Sequence, residues 1–235
     1  MLYVGFIHGI GNFQPTDEDK KNLLRDLQEM FSASLGRPID EVVPFFLYYD
    51  DIIEAQPESK AAKLLANLAS IKYTGTSQLG SLLVDYGSDI LEYYLNGKLR
   101  DKIQEQVLGQ LSKITGGHAS EHDVVLIGHS LGSLVLARAR KNLAVQSMFI
   151  GSPLYSVIPM IRWATRNMAL RGLDLKSSVG LQYNVWSKLD PLSGPDKDQA
   201  ECADLRVKGV IHRDVKSYVQ KALQSGCFQS LRARW

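Results

Sequence analysis

Short apolar runs rich in β-branched and aromatic residues recur along the chain: Leu2 to Ile7, Val42 to Tyr49, Val124 to Ile127, Ser147 to Ile150 and Leu181 to Trp186. Each has the length and composition of a strand. Between them the apolar positions follow a helical period instead. In Glu18 to Leu35, the residues Leu23, Leu24, Leu27, Met30 and Phe31 recur on one face, which predicts an amphipathic helix. Lys98 to Ile114 reads as a further helix and leads through the turn-forming Gly116-Gly117 into the strand at Val124. Strands alternating with helices form βαβ units, so the expected fold class is α/β, with a mostly parallel central sheet flanked by helices. One stretch breaks the rhythm. Residues from about 51 to 97 are too many for one crossover and hold two helical patterns, Lys60 to Ile71 and Ser77 to Leu95. They are read as a helical cap inserted into a single domain spanning residues 1–235.

Composition narrows the function classes. The chain is 235 residues long, 45% hydrophobic and 22% charged, which suffices for one sizeable core. Its 27 basic and 25 acidic residues leave a formal charge of +2, and no lysine- or arginine-rich block is present to track phosphates, so nucleic acid is not an expected partner. Cys202 and Cys227, with 24 residues between them, match neither a metal knuckle nor a disulfide framework and read as ordinary thiols. The opening residues lack a basic region and a long apolar run, and no later segment approaches a membrane span; the expected location is cytoplasmic.

The strongest chemical signal lies where the strand Val124 to Ile127 runs into Gly128-His129-Ser130-Leu131-Gly132 and then into the helix-competent Ser133 to Ala139. Gly-x-Ser-x-Gly between a strand and a helix is the pattern of a nucleophile elbow. The turn is so sharp that positions two before and two after the serine admit no bulky side chain, which Gly128 and Gly132 satisfy. Ser130 is thereby expected at the carboxyl edge of the sheet, with the positive end of the next helix beside any oxyanion that forms. The glycine spacing matches neither Gly-x-Gly-x-x-Gly nor the Walker pattern, which argues against a phosphate-binding turn. Acyl transfer also needs two backbone N–H groups aimed at the oxyanion. Leu131, after the serine, and Ile10, in the turn His8-Gly9-Ile10-Gly11 after the first strand, are the candidates, with Gly9 keeping that loop slim. His8 and His129 read as residues that brace these turns.

His8-Gly9-Ile10-Gly11, the elbow at 128–132 and Gly151-Ser152-Pro153-Leu154 after the following strand together resemble the lipase and esterase branch of the α/β-hydrolases. The match covers the whole chain in motif order and is most similar to small lipases and lipase-like relatives of the inositol deacylases. The resemblance implies the α/β-hydrolase fold and cleavage of carboxylic or lipid esters, with no metal or organic cofactor. Ser133 departs from the pattern, because many members carry a second glycine there; the expected effect is on helix packing more than on chemistry.

In this fold the chain order is serine, acid, histidine. His212 is the one histidine downstream of Ser130, since His118 and His122 precede the nucleophile strand, so it is the expected base. Asp190, in the loop after the strand Leu181 to Trp186, is the expected acid; Asp196, Asp198 and Asp204 compete as neighbours. Asp204 to Val207 reads as a short last strand that delivers His212. The apolar residues of the insertion, and Tyr155 to Met168 with Trp163, either pack helices on the core or line an acyl pocket or lid. The expected partner is a small-molecule or lipid ester, with transient contact to a membrane or lipid surface left open. Acyl transfer or thioester hydrolysis by the same residues, and a catalytically silent binding module on the same fold, are the alternative readings.

Overall fold

A computed structural model describes residues 1–9, 16–54, 90, 92–93, 96–118, 123–143, 145–156, 181–195 and 203–232. Six strands form one sheet: β1 (Leu2–Ile7), β2 (Val42–Leu47), β3 (Asp123–His129), β4 (Gln146–Ile150), β5 (Gln182–Ser187) and β6 (Ala203–Val207), in the order β2-β1-β3-β4-β5-β6. Every neighbouring pair is parallel. All carboxyl ends therefore fall at one edge, where open α/β sheets place their ligands.

Helices cover both faces, which is why the strands read as nearly unbroken apolar runs. Side chains alternate along β3: Val125 and Ile127 join one buried cluster with Leu27, Phe31 and Leu35 of α1 (Asp17–Leu35), while Val124 and Leu126 join the other with Leu99, Ile103 and Val107 of α3 (Gly97–Ile114). Between these helices in sequence lies the short α2 (Asp50–Glu54). The helix after β3, α4 (Leu131–Ala139), buries every residue except Arg138. The first cluster is completed by α5 (Val215–Gln224), with Val215, Tyr218, Val219, Ala222 and Leu223 inward. The α/β class, the mostly parallel sheet and the flanking helices are as the hydrophobic pattern predicts.

Boundaries follow local chemistry. Thr16 and Asp19 form a reciprocal capping box at the start of α1, and Gly36 ends it in the left-handed region at φ 63°. The run Val42 to Tyr49 stops pairing at Leu47. Past that point the carbonyl of Tyr48 accepts from the Gln106 and Gln110 side chains of α3, its N–H bonds to the Gln110 side-chain oxygen, and the Tyr49 hydroxyl donates to the His8 carbonyl at 2.7 Å. Residues 55–89 of the expected cap, together with Tyr155 to Met168 beyond residue 156, lie outside the described residues; Ile90 and Tyr93 are buried against α3 and α4. Among the described residues no helix is long and apolar enough to cross a membrane.

Candidate active site

β3 delivers Ser130 into the first turn of α4 with φ 52° and ψ −125°, a backbone conformation that a non-glycine residue adopts only where its surroundings impose it. Three close approaches impose it. A β-carbon on Gly128 would lie 2.7 Å from the Gly132 carbonyl oxygen, and one on Gly132 would run into the Ile7 carbonyl of β1. One on Gly9 would lie 2.6 Å from the Ser130 β-carbon and 2.9 Å from the Leu131 nitrogen, so the loop after β1 rests directly on the elbow. The Ser130 N–H donates to the Ile150 carbonyl at 3.2 Å, tying the turn to β4.

Ser133 also holds the elbow. Its hydroxyl donates to the Ser130 carbonyl at 2.6 Å and contacts the Ser152 hydroxyl at 2.7 Å, all buried. Since Ser133 spends its proton on the carbonyl, Ser152 donates in that pair, while its oxygen also accepts from Leu154 N–H at 3.3 Å. The side chain at 133 is thus bonded to the strained residue itself as well as packed within the helix.

Asp190 lies in the turn after β5 and is 1% exposed. Its carboxylate accepts from His212 Nδ1 at 3.0 and 3.1 Å, from the Tyr218 hydroxyl at 2.7 Å and from Leu192 N–H at 3.0 Å. A carboxylate can only accept from an imidazole N–H here, so Nδ1 of His212 carries a proton, and in the neutral form of the ring Nε2 is the nitrogen with the lone pair. The other acids do not make this contact: Asp204 bonds to Asn184 and Trp186 side chains at 2.6 and 3.1 Å, and Asp196 and Asp198 lie outside the described residues. Gly151, at φ 55°, packs so closely on the pair that a β-carbon would stand 3.0 Å from both Asp190 Oδ2 and His212 Nδ1.

Tyr218 and Gly151 are absent from the expected site. Tyr218 sits on α5, which the strand-and-helix pattern did not single out, although Asp214 capping at Ser217 N–H and the apolar positions 215, 218, 219, 222 and 223 are its signal. Burial, reinforced by the Asp190 charge, pushes the Tyr218 hydroxyl well above its ordinary range, so it remains a donor.

Three imidazoles line up at this edge. The register that pairs Ile7 with Gly128 places His8 beside His129 one residue further on, with ring centroids 5.8 Å apart. The His212 ring follows at 4.7 Å from His129. Burial pushes His8 down to about 4, and burial followed by the neighbouring His212 and His8 holds His129 well below the usual histidine range. His8 and His129 are therefore neutral near pH 7. The His129 side chain bonds to another turn, through Nε2 to the His212 carbonyl at 2.8 Å, while at His8 the main-chain carbonyl accepts from Tyr49.

Ser130 and His212 open on one cleft of about 220 Å³, whose described walls include His8, Gly9, Leu23, Phe46 and Val215, with Lys20 and Arg213 among its charged residues. The Ser130 hydroxyl is buried and makes no hydrogen bond among the described residues. Leu131 opens α4, where a first-turn N–H has no intrahelical acceptor. Ile10 lies outside the described residues. Of the two cysteines, Cys227 is a free buried thiol pushed up by burial to about 12, and Cys202 is outside the described residues.

No protein-family model and no curated protein matches this chain. Solved structures do match, among them Est1E from Butyrivibrio proteoclasticus, with 12% sequence identity over 95% of this chain and 85% of that chain and a TM-score of 0.40. At that distance the chemistry has to be carried by the side chains themselves.

Proposed function

We propose that this protein is a serine hydrolase of the α/β-hydrolase type that cleaves carboxylic esters, with Ser130 as nucleophile, His212 as base and Asp190 as the acid that orients it. The observation that carries this reading is the buried Asp190 carboxylate on Nδ1 of His212, in a cleft shared with a serine held at positive φ. Burial of the pair strengthens the interaction that must stabilise the imidazolium formed in the reaction.

His212 Nε2 takes the proton of Ser130 as the oxygen attacks the ester carbonyl. The negative charge on the carbonyl oxygen falls to the N–H groups of Leu131 and Ile10, aided by the amino end of α4. Collapse of the tetrahedral species breaks the bond to the alcohol oxygen, which receives the proton from His212. Water then attacks the acyl group on Ser130 in the same geometry, and the carboxylic acid leaves. The acyl part belongs in the cleft beside Leu23, Phe46 and Val215.

The test is labelling by a fluorophosphonate probe. The wild type is expected to react and Ser130→Ala is expected not to; labelling that persists in the variant would sink the assignment. An ester-chain-length series, run with a competing alcohol, then separates hydrolysis from acyl transfer by its products.

A further inference from the structure

His129 is the last residue of β3, paired in register with Ile150, so its backbone belongs to the rigid part of the sheet. Its side chain lies on the same face as Val125 and Ile127, four and two residues earlier, and is 5% exposed. From there it reaches a residue 83 positions away: Nε2 and the His212 carbonyl are 2.8 Å apart. A carbonyl oxygen only accepts, which fixes the proton of His129 on Nε2. The other nitrogen, Nδ1, is buried and makes no hydrogen bond among the described residues, as suits the lone-pair nitrogen of a neutral ring. The two rings also lie in contact, tilted by 34° with 4.7 Å between centroids.

We infer that His129 is a positioning residue that holds the base at a fixed distance from the nucleophile: one residue is bonded covalently to Ser130 and by hydrogen bond to the main chain of His212. This inference rests on the hydrolase reading and adds a part to it. Asp190 fixes the tilt of the His212 ring through Nδ1, but a ring held at one nitrogen can still travel with its backbone. His212 sits in the turn between β6 and α5, outside the sheet ladder, where Asp214 N–H bonds to the Ile211 carbonyl at 3.0 Å. The bond from His129 anchors that turn to the strand that carries Ser130. The His129 ring, in tilted contact with the His212 ring, adds a packing contact to that bond. Nucleophile and base therefore move as one body, and displacement of about 1 Å between such groups is enough to cost on the order of a hundredfold in rate.

The experiment compares wild type, His129→Leu, which fills much of the space without a donor, and His129→Gln, whose amide nitrogen lies about as far from the backbone as Nε2. The readouts are the second-order rate of fluorophosphonate labelling, kcat and KM on a short p-nitrophenyl ester, and the melting temperature. His129→Leu is expected to slow labelling and kcat by about tenfold to a hundredfold with KM within about twofold, and His129→Gln to recover to within about fivefold of wild type. A folded Leu variant at the wild-type labelling rate, or a folded Gln variant slowed tenfold or more, overturns the role. Should the Leu variant fail to fold, nitrogen-15 NMR of the wild-type imidazoles decides alongside the Gln variant: His129 is expected as the Nε2–H form at neutral pH, and an Nδ1–H form overturns the proposal. A wild-type protein inert to the probe would instead remove the hydrolase reading, so the two failures are distinguishable.

Discussion

Lowering the pH from 7.5 to 5 should destabilise the folded protein through His8, by an amount that can be worked out. His8 titrates near 6.5 in an unfolded chain and is pushed down to about 4 in the fold, chiefly by burial. At pH 5 the unfolded state therefore holds a proton on this residue that the folded state does not. Stability rises with pH wherever the unfolded state binds more protons, so the loss builds from about pH 6.5 downward and levels off near pH 4, where folded His8 is protonated too. Integrated from pH 7.5 to 5 the difference is about 2 kcal/mol. His129 adds a loss of the same sign. The carboxylates contribute as well, so the clean measurement is a difference between proteins: urea unfolding of wild type and His8→Gln, followed by tryptophan fluorescence at both pH values and constant ionic strength. The variant loses the packing of His8 beside Phe6 and His129 at both pH values equally, yet its stability should fall between them by about 2 kcal/mol less than wild type. Equal falls in the two proteins would refute the claim that the fold holds His8 uncharged.

Two further predictions concern the supports of the site. Tyr218→Phe removes a 2.7 Å hydrogen bond to the buried Asp190 carboxylate while leaving the Leu192 and His212 donors; on the proposed mechanism it should lower unfolding free energy by about 2 kcal/mol and kcat with little change in KM, and denaturation and ester kinetics matching wild type would show that Tyr218 does not hold Asp190. Gly132→Ala pushes a β-carbon into the Ile7 carbonyl, main chain that cannot swing aside; it should abolish probe labelling or folding, and a variant that labels at the wild-type rate would refute the close packing of the elbow on β1.

What the sequence disclosed, and what it did not, follows from the range of the interactions involved. The strand Val124 to Ile127 is legible because a strand buried on both faces must be apolar at every position, and the elbow is legible because its glycines answer to contacts within a few residues. Motif and chain order lead to Ser130, Asp190 and His212 as candidates. They do not lead to the mutual arrangement, since the Asp190–His212 contact spans 22 residues and depends on how the turns after β5 and β6 face each other. Tyr218 was invisible for the same reason: nothing local to α5 distinguishes a core tyrosine from one whose hydroxyl meets a carboxylate 28 residues away. Ser133 is the instructive case. Its place in the helix suggested packing, and only the proximity of the Ser130 carbonyl and Ser152 turns its hydroxyl into a brace of the elbow. The strand read as Val42 to Tyr49 ran two residues too far because the glutamine side chains of α3 supply hydrogen bonds that a pattern of apolar residues does not encode.

The side chain of Arg37, just past the end of α1, donates to the Leu231 carbonyl at 2.9 and 3.0 Å and pairs with Asp123, the first residue of β3, which lies beside Leu2 in the sheet. Leu2 and Leu231 are thereby gathered at the amino edge of the strands. The length of β3 separates that edge from Ser130, about 20 Å at the rise of a parallel strand. For anyone attaching this protein to a bead or a surface, the practical reading is that a tether near Leu2 or Leu231 sits at the edge of the sheet opposite Ser130. Such a tether leaves the cleft of Ser130 and His212 open, and Arg37 is the residue to leave untouched when the turn around Leu231 is re-engineered.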